Sequence, residues 1–508
     1  MPQYLSPGVY IEEKEAGSRP IEGVGTAVAA FIGLAANGPF NSPTLVTNWT
    51  QFVTAFGGFV EDSYLAHAVY GYFNNGGGNC YVIRIGADNT SPAATAQLPS
   101  AADQSVVAYD ITARELGPPG NEITVEVGDA TEGPAEETFK LTVKSGSAQE
   151  TFDNLTTKAT ARNAATVVNA ESKLIQIEES GKTAVAKRRP VSGPYPLSGG
   201  TSAAPARIDT DDYVGDPDKR TGLGGFHAVD DVTMVCVPDL MAAYQKEIID
   251  LDGVQAVQQA LIDHCSEMQD RIAILDPLPN HNAQQIKEWR VEKSRYDSAF
   301  ATLYWPWLEV YDPIGRHNIL VPPSGHMAGI WSRSDATRGV YKAPANEVVR
   351  GALDVETQVT RGEHDTLNPE GINVIRAFPG RGIRVWGART LSSDQTWRYL
   401  NVRRLFNYIE ESILEGTQWV VFEPNDLDLW QRIRRTITAF LLGLWRDGAL
   451  FGATPEQSFY VKCDDETNPP DVVESGTVVV EIGIAPVRPA EFVVFRLAQL
   501  TGGGQVSE

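Results

Sequence analysis

The sequence predicts a multidomain α/β protein whose mainly parallel sheet is interrupted by a β-rich insertion. Three observations predict it. Short apolar runs alternate with helical spacings over residues 21–86 and again over 206–380, the pattern of strands joined by right-handed crossovers. Residues 87–205 change character: Ala, Thr, Ser, Gly and Pro dominate and short strands alternate. Residues 381–508 hold two amphipathic helices followed by apolar strands. A chain of 508 residues has room for roughly three domains at about 150 residues each.

Residues 1–20 read as an arm punctuated by Pro2, Pro7-Gly8 and Gly17, which favour turns. Within it Val9, Tyr10, Ile11 and Glu12 alternate as a short strand does, and no hairpin partner lies nearby. In the first α/β stretch Ala27–Leu34 is a buried strand. Asn48 or Thr50 caps a short helix through Phe52, Val53 and Phe56. Leu65, Val69 and Phe73 mark a second helix, and Cys80–Ile85 is the next strand. In the insertion Ile123, Val125 and Val127 alternate with Thr124 and Glu126, and Phe139, Leu141 and Val143 with Lys140 and Thr142. One helical stretch, Ala161–Val168, interrupts these strands. This segment is expected on the outside of whatever the protein builds.

The second α/β stretch runs strand Val232–Val237, a helical stretch Tyr244–Met268 broken at Gly253, strand Arg271–Leu275, helix Ala283–Tyr296 and strand Ala301–Tyr304. Residues 322–369 read as a long loop studded with Gly and Pro, of the kind that is functional or interfacial. In the last stretch Val402, Leu405, Ile409 and Ile413 form one helical stripe. Leu429, Ile433, Ile437, Phe440, Leu441 and Leu444 form another. Val478, Val480, Ile482 and Ile484 then share one strand face, and Val493, Phe495 and Leu497 another.

Lys plus Arg number 42 and Asp plus Glu 65, a formal net charge of −23. That balance argues against a general nucleic-acid binder, which needs a basic face, and against docking on anionic lipid. Cys80, Cys236, Cys265 and Cys463 show no CxxC and no zinc spacing. They are expected as small buried hydrophobes in a reducing compartment. The first residues have no basic region ahead of an apolar core, so no secretory signal is read. The best apolar stretch, Ala27–Ala36, is about half the length of a membrane span. Folding in the cytoplasm is the resulting expectation.

An open parallel sheet binds ligands beyond its strand C-termini, which points to Asp239, Asp276, and Ser324 with His326. A hydrolase needs a nucleophile on a sharp turn, a His base and an orienting acid. There is no GxSxG, Ser324 and His326 are close in sequence, and the two aspartates sit in Pro-Asp and Asp-Pro pairs that make turns. Gly76–Gly78, Gly222–Gly225 and Gly502–Gly504 match neither phosphate-binding glycine pattern, and the seven histidines form no HExxH. No catalytic residue, metal or cofactor is expected.

The arginines carry more information. Arg376, Arg381, Arg384 and Arg389 lie beside strand-like residues, and Arg398, Arg403 and Arg404 fall on the first C-terminal helix. Arg432, Arg434 and Arg435 fall on the second, and no lysine occurs from Gly351 to Val461. Arginine suits planar pairing to carboxylates at interfaces, or these side chains solvate helix faces and pair with Glu410, Glu411 and Asp428. The two chain ends read as unpaired strand edges. Such edges aggregate unless they find partners; they either pair with each other or add strands to neighbouring copies, which builds open filaments.

Several stretches resemble the contractile tail sheath proteins of phages, R-type pyocins and extracellular contractile injection systems. Tyr4-Leu5-Ser6-Pro7-Gly8-Val9-Tyr10-Ile11-Glu12-Glu13 is similar to the family's N-terminal arm, as are Val24-Gly25-Thr26, Gly38-Pro39 and Phe56-Gly57-Gly58 to its first core segments. Gly117-Pro118-Pro119-Gly120-Asn121-Glu122-Ile123 resembles the approach to the family's inserted domain, without the Trp-Gly that many members carry before the Asn. Pro322-Pro323-Ser324-Gly325-His326-Met327-Ala328-Gly329 and Arg338-Gly339-Val340-Tyr341-Lys342-Ala343-Pro344-Ala345-Asn346 resemble the core. Gly382-Ile383-Arg384-Val385-Trp386-Gly387-Ala388-Arg389-Thr390-Leu391 is the most specific stretch. The opening is most similar to the injection-system branch.

The resemblance implies a structural polymer: six-membered rings stacked helically around an inner tube, with baseplate and terminal cap proteins as further partners. It implies no nucleic acid, no membrane insertion, and cytoplasmic assembly into a phage tail-like particle. It implies an α/β core (21–86 and 206–380) with a subtilisin-like sheet that is not a protease, a β-rich insertion (87–205) and a C-terminal α/β domain (381–508). It also implies exchanged terminal strands. Val9, Tyr10, Ile11 and Glu12 of the arm, and Val493, Val494, Phe495, Arg496 and Leu497 of the C-terminal strand, would complete a small sheet between neighbouring subunits. Tube contact falls to Arg432, Arg434 and Arg435, with Arg403 and Arg404 as second choice. A subtilisin-like hydrolase and a non-contractile, self-assembling tail or shell component are the alternatives.

Overall fold

The computed structural model describes residues 20–86, 93–116, 118–133, 137–146, 148–180, 189–200 and 208–496. The chain forms two compact units. Residues Gly86–Arg207 make one, and the chain on either side of them makes the other.

In the larger unit eight strands share one sheet: β1 (Ala29–Gly33), β2 (Thr44–Val46), β3 (Cys80–Arg84), β4 (Met234–Cys236), β5 (Ile272–Leu275), β6 (Ala301–Trp305), β7 (Ile372–Phe378) and β8 (Gly382–Val385). Their order is β8-β7-β6-β5-β4-β1-β3-β2. The six inner strands are parallel, and each edge strand is antiparallel to its neighbour. Every residue of β1, β5 and β6 is buried, as a parallel sheet covered on both faces requires.

The helices are α1 (Trp49–Phe56), α2 (Leu65–Asn74), α3 (Asp239–Gln245), α4 (Leu251–Met268), α5 (Ser324–Arg338), α6 (Leu400–Gly416) and α7 (Leu427–Arg446). Asn48 caps α1, its side chain accepting from Gln51 N at 2.9 Å. The break expected at Gly253 falls earlier, over residues 246–250. Gly253 is the third residue of α4 and donates its N–H to the capping Asp250 at 2.8 Å. A glycine at a helix start costs far less than one in the interior. The helix expected over Ala283–Tyr296 is α-helical only over Ala283–Glu288 and continues as a π turn, Trp289–Ser294.

The loop expected from residue 322 is a helix in its first third. Residues 324–332 of α5 are all buried, so no polar face marks a helical period, and Gly325 and Gly329 read as breakers. Their function is contact with α2. A methyl group at Gly325 would meet the Ala68 carbonyl oxygen at 2.3 Å, and one at Gly329 the Tyr72 carbonyl oxygen at 2.3 Å. The two helices touch backbone to backbone, which only glycine permits.

The Gly86–Arg207 unit has its own core. Gly193–Pro196, Ile123–Asp129, Thr138–Ser145 and Ala148–Thr156 form an antiparallel four-stranded sheet in that order. Ala93–Pro99, Val107–Leu116 and Ile175–Glu179 form a three-stranded one. Ile123, Val125, Val127, Phe139, Leu141 and Val143 are buried together. Asn121 exchanges two hydrogen bonds with the Gly200 backbone, donating to its carbonyl at 2.6 Å and accepting from its N–H at 2.9 Å. That pairing ties the two ends of the unit's core segment.

Candidate assembly interface

The C-terminal region is built on α6 and α7. Leu405 and Ile409 of α6 pack with Leu429, Ile433, Ile437 and Leu441 of α7. Asp426 caps α7, accepting from Leu429 N at 2.9 Å. Beside α7 lies a two-stranded antiparallel sheet, β9 (Phe459–Lys462) with β10 (Glu481–Ile484), in register from Phe459 opposite Ile484 to Lys462 opposite Glu481. Both outer edges of this ribbon are unpaired among the described residues. A two-stranded ribbon is marginal by itself and offers two rows of free backbone groups for strand addition.

Beyond β10 the chain is extended. Ala485 and Val487 hydrogen-bond to Phe451 and Ala449, and Glu491 pairs with Arg389. The next four residues lose all cover: Phe492, Val493, Val494 and Phe495 are 75, 68, 77 and 85% exposed. No residue from Val493 to Arg496 belongs to a strand. Four consecutive apolar side chains are thus exposed in a segment outside any strand. Leu497 and the arm residues Val9, Tyr10, Ile11 and Glu12 lie outside the described residues.

The structure separates the five arginines. Arg434 and Arg435 are exposed on α7 and make no ion pair among the described residues. Arg432 is half-buried, 3.2 Å from Glu423 and stacked 4.5 Å from the Trp419 ring. Arg403 and Arg404 are corrected as contact residues, because both are buried and already partnered. Arg403 lies 4.4 Å from the Trp397 ring and 4.8 Å from that of Phe300, and bonds Asn407 and Glu410. Arg404 grips Asp335 of α5 with two hydrogen bonds, at 2.9 and 2.5 Å, and donates a third to the Thr26 carbonyl at 3.0 Å. It ties α6 to α5 and to the segment leading into β1.

Ser324 and His326 do not form a nucleophile and base. The Ser324 hydroxyl donates to Asp276 Oδ2 at 2.6 Å, its N–H donates to Oδ1 at 2.8 Å, and the residue is fully buried. The pair fastens the start of α5 to the end of β5. The His326 Nδ1 is buried with no hydrogen-bond partner, and burial lowers its pKa to about 4. Asp239 likewise binds the backbone N–H groups of Leu34 and Leu65 and the Ser63 hydroxyl. All four cysteines are buried thiols. Among the described residues no group of three or more His, Cys, Asp or Glu could hold a metal. No helix there is long and apolar enough to cross a membrane.

Burial pushes the Asp276 carboxyl up to about 7, against the two bonds from Ser324. The unfolded chain titrates there near ~4. A folded value above the unfolded one means that the folded chain holds the extra proton between the two. The site's contribution to stability is therefore complete below about pH 4 and is lost as pH rises through about 7. Asp276→Asn removes this titration. Its thermal midpoint is expected to fall less than the wild type's between about pH 5 and about pH 8. Parallel profiles for the two proteins would remove Asp276 from the pH response.

The described residues thus hold a large α/β unit, an inserted β unit, an exposed apolar segment and a two-stranded ribbon with open edges. Residues 226–391 match the model of the phage tail sheath protein central domain, and residues 392–499 that of the phage tail sheath C-terminal domain; together they span more than half of the chain. The chain belongs to the phage tail sheath family. It is 27% identical to the tail sheath protein of Salmonella phage ViI over 281 residues, 52% of this chain and 42% of that one. It is 24% identical to the tail sheath protein of Vibrio phage KVP40 over 368 residues, 67% of this chain and 52% of that one. The chain thus spans about half the length of these relatives. Its fold is that of the sheath in the contracted PVC complex of an extracellular contractile injection system, with a TM-score of 0.60, 23% identity, and 98% and 99% of the two chains covered.

Proposed function

We propose that this chain is the structural subunit of a contractile sheath. Subunits polymerise as six-membered rings stacked helically around an inner tube, between a baseplate and a terminal cap, and the polymer shortens to drive the tube through a target envelope. Assembly takes place in the cytoplasm. The observation that carries this reading is the exposed Phe492–Phe495 segment in the same subunit as the unsaturated β9–β10 ribbon. Each subunit has both a strand to give and a sheet edge to receive one. The arm strand Val9–Glu12 is assigned the second edge. Energy is stored in a metastable extended packing and released as rigid-body rotation into a tighter one.

Negative-stain electron microscopy of the purified chain, alone and with its tube protein, tests this. Hollow, transversely striated cylinders are expected. Dispersed monomers across a range of salt and protein concentrations would overturn the reading.

Tube contact is assigned to Arg434 and Arg435, with Arg432 beside them. Exposed arginines on a rigid helix suit a carboxylate-bearing tube surface, and screening makes such contact salt-sensitive. The double substitution Arg434→Glu, Arg435→Glu is expected to leave the thermal midpoint unchanged while abolishing co-assembly with the tube. Full-length particles at the wild-type yield would reassign the contact.

A further inference from the structure

Arg389 holds the C-terminal segment at one point. Its own backbone is fixed in the core: the Arg389 N–H donates to the Asn373 side chain at 2.7 Å, and its carbonyl accepts from Thr302 at 2.9 Å and from Asn373 at 2.8 Å. Both partners are fully buried. From this anchor the guanidinium reaches Glu491 with two bonds, Nε to Oε1 at 2.8 Å and Nη2 to Oε2 at 2.5 Å, and spends Nη1 on the Asn368 carbonyl at 2.9 Å. Tyr399 adds a third contact to Glu491, at 3.3 Å. The Arg389 side chain is 8% exposed and that of Glu491 18%, so the pair is shielded from the screening that makes surface ion pairs weak.

The position of this pair is informative. Val487 is held by Asn401 at 3.1 Å and by the Ala449 carbonyl at 3.2 Å. Residues 487–493 line a groove of about 870 Å³ together with Tyr341, Arg376 and Trp386. Arg488 and Ala490 of this segment are exposed. Among the described residues Glu491 is the last one held, and the next one is exposed.

We infer that the Arg389–Glu491 pair is a clamp that sets where the C-terminal strand leaves its subunit, and hence the distance at which a second copy of this chain can receive it. The inference rests on the strand-exchange reading above. Opening the clamp moves the point of release back to Val487 and frees four residues, about 13 Å of extended chain. A strand released there has a longer, looser tether, and a looser tether lowers the effective concentration of the strand at the neighbouring edge. Arg389 and Tyr399 are positioning residues here: they act through Glu491.

The test uses the full chain. Glu491→Ala opens the clamp from the segment side and removes no core atom. It leaves the shielded Arg389 guanidinium without its carboxylate, so the thermal midpoint is expected to fall. Compared at a temperature where both chains are folded, it is expected to raise the protein concentration needed for polymerisation at least tenfold, and to change the helical rise and twist of any polymer that forms. Glu491→Gln keeps the side-chain length and acceptor, and is expected to restore part of the wild-type polymerisation. Glu491→Ala polymerising at the wild-type concentration with wild-type helical parameters overturns the clamp. A chain stopped after Glu491 separates the two readings. If it fails to polymerise while Glu491→Ala behaves as wild type, strand exchange stands and the clamp falls. If the stopped chain itself forms normal cylinders, strand exchange falls.

Discussion

Arg404→Ala is expected to lower the stability of the subunit by about 3–5 kcal/mol. Arg404 and Asp335 are each 4% exposed and meet in two hydrogen bonds. Removing the guanidinium leaves the carboxylate in a site built for an ion pair, away from water, and that uncompensated charge is the main cost. The Thr26 carbonyl also loses a donor, and Trp331 loses a cation 4.8 Å from its ring. Chemical denaturation of the two proteins measures the loss. A decrease under about 1 kcal/mol would mean that water reaches Asp335 instead. The double substitution Arg404→Met, Asp335→Leu removes both charges at similar volume. It is expected to recover most of the loss, since buried ion pairs replaced by apolar side chains are often neutral or better.

The second large effect is on assembly. Deleting residues 1–14 is expected to leave a folded monomer with the wild-type thermal midpoint that no longer forms cylinders. The cut lies upstream of the first described residues, which are tied to the body. Ile21 is buried in the α6–α7 core, against Gly416, and the Val24 N–H donates to the Ser412 hydroxyl at 3.2 Å. Strand addition is a main-chain interaction; in the proposed polymer it would recur at every subunit contact, so its loss would fall on every link. Sedimentation and electron microscopy read the outcome. Persistent long sheaths from the truncated chain would sink the assignment of the arm to a neighbour's edge.

Much of the fold was legible in the sequence because burial is one-sided in many elements. Val402, Leu405 and Ile409 on α6, and Leu429, Ile433, Ile437 and Leu441 on α7, are buried on the stripes that their spacing marks. Ile123, Val125 and Val127 alternate inward on their strand. Legibility ends where burial is all-round. α5 has no polar face over residues 324–332, so its glycines looked like loop residues. The candidate interface was legible in part. The sequence marks Val493–Arg496 as part of a strand, whereas these residues are exposed and carry no strand. Arg403 and Arg404 misled because composition marks a charged side chain as a surface one. The partners that bury Arg404 are remote in sequence, at Thr26, Trp331 and Asp335. A local signal existed for Arg403: Trp397 and Phe406 flank it, and both rings lie within 5.6 Å of its guanidinium. The Arg389–Glu491 pair spans 102 residues and has no local sequence signature.

The backbone contact between α2 and α5 has a mechanical consequence. Elements joined in series under load deform in proportion to their softness. Two helices touching at Gly325 and Gly329 leave no side-chain layer to shear, and packed interiors have low compressibility. The α2–α5 layer is therefore a stiff spring, whereas residues 488–490, held only at Val487 and Glu491, are a soft one. In the polymer proposed above, axial displacement between subunits would gather in that short segment, and the body would pass force along with little of its work lost to internal strain.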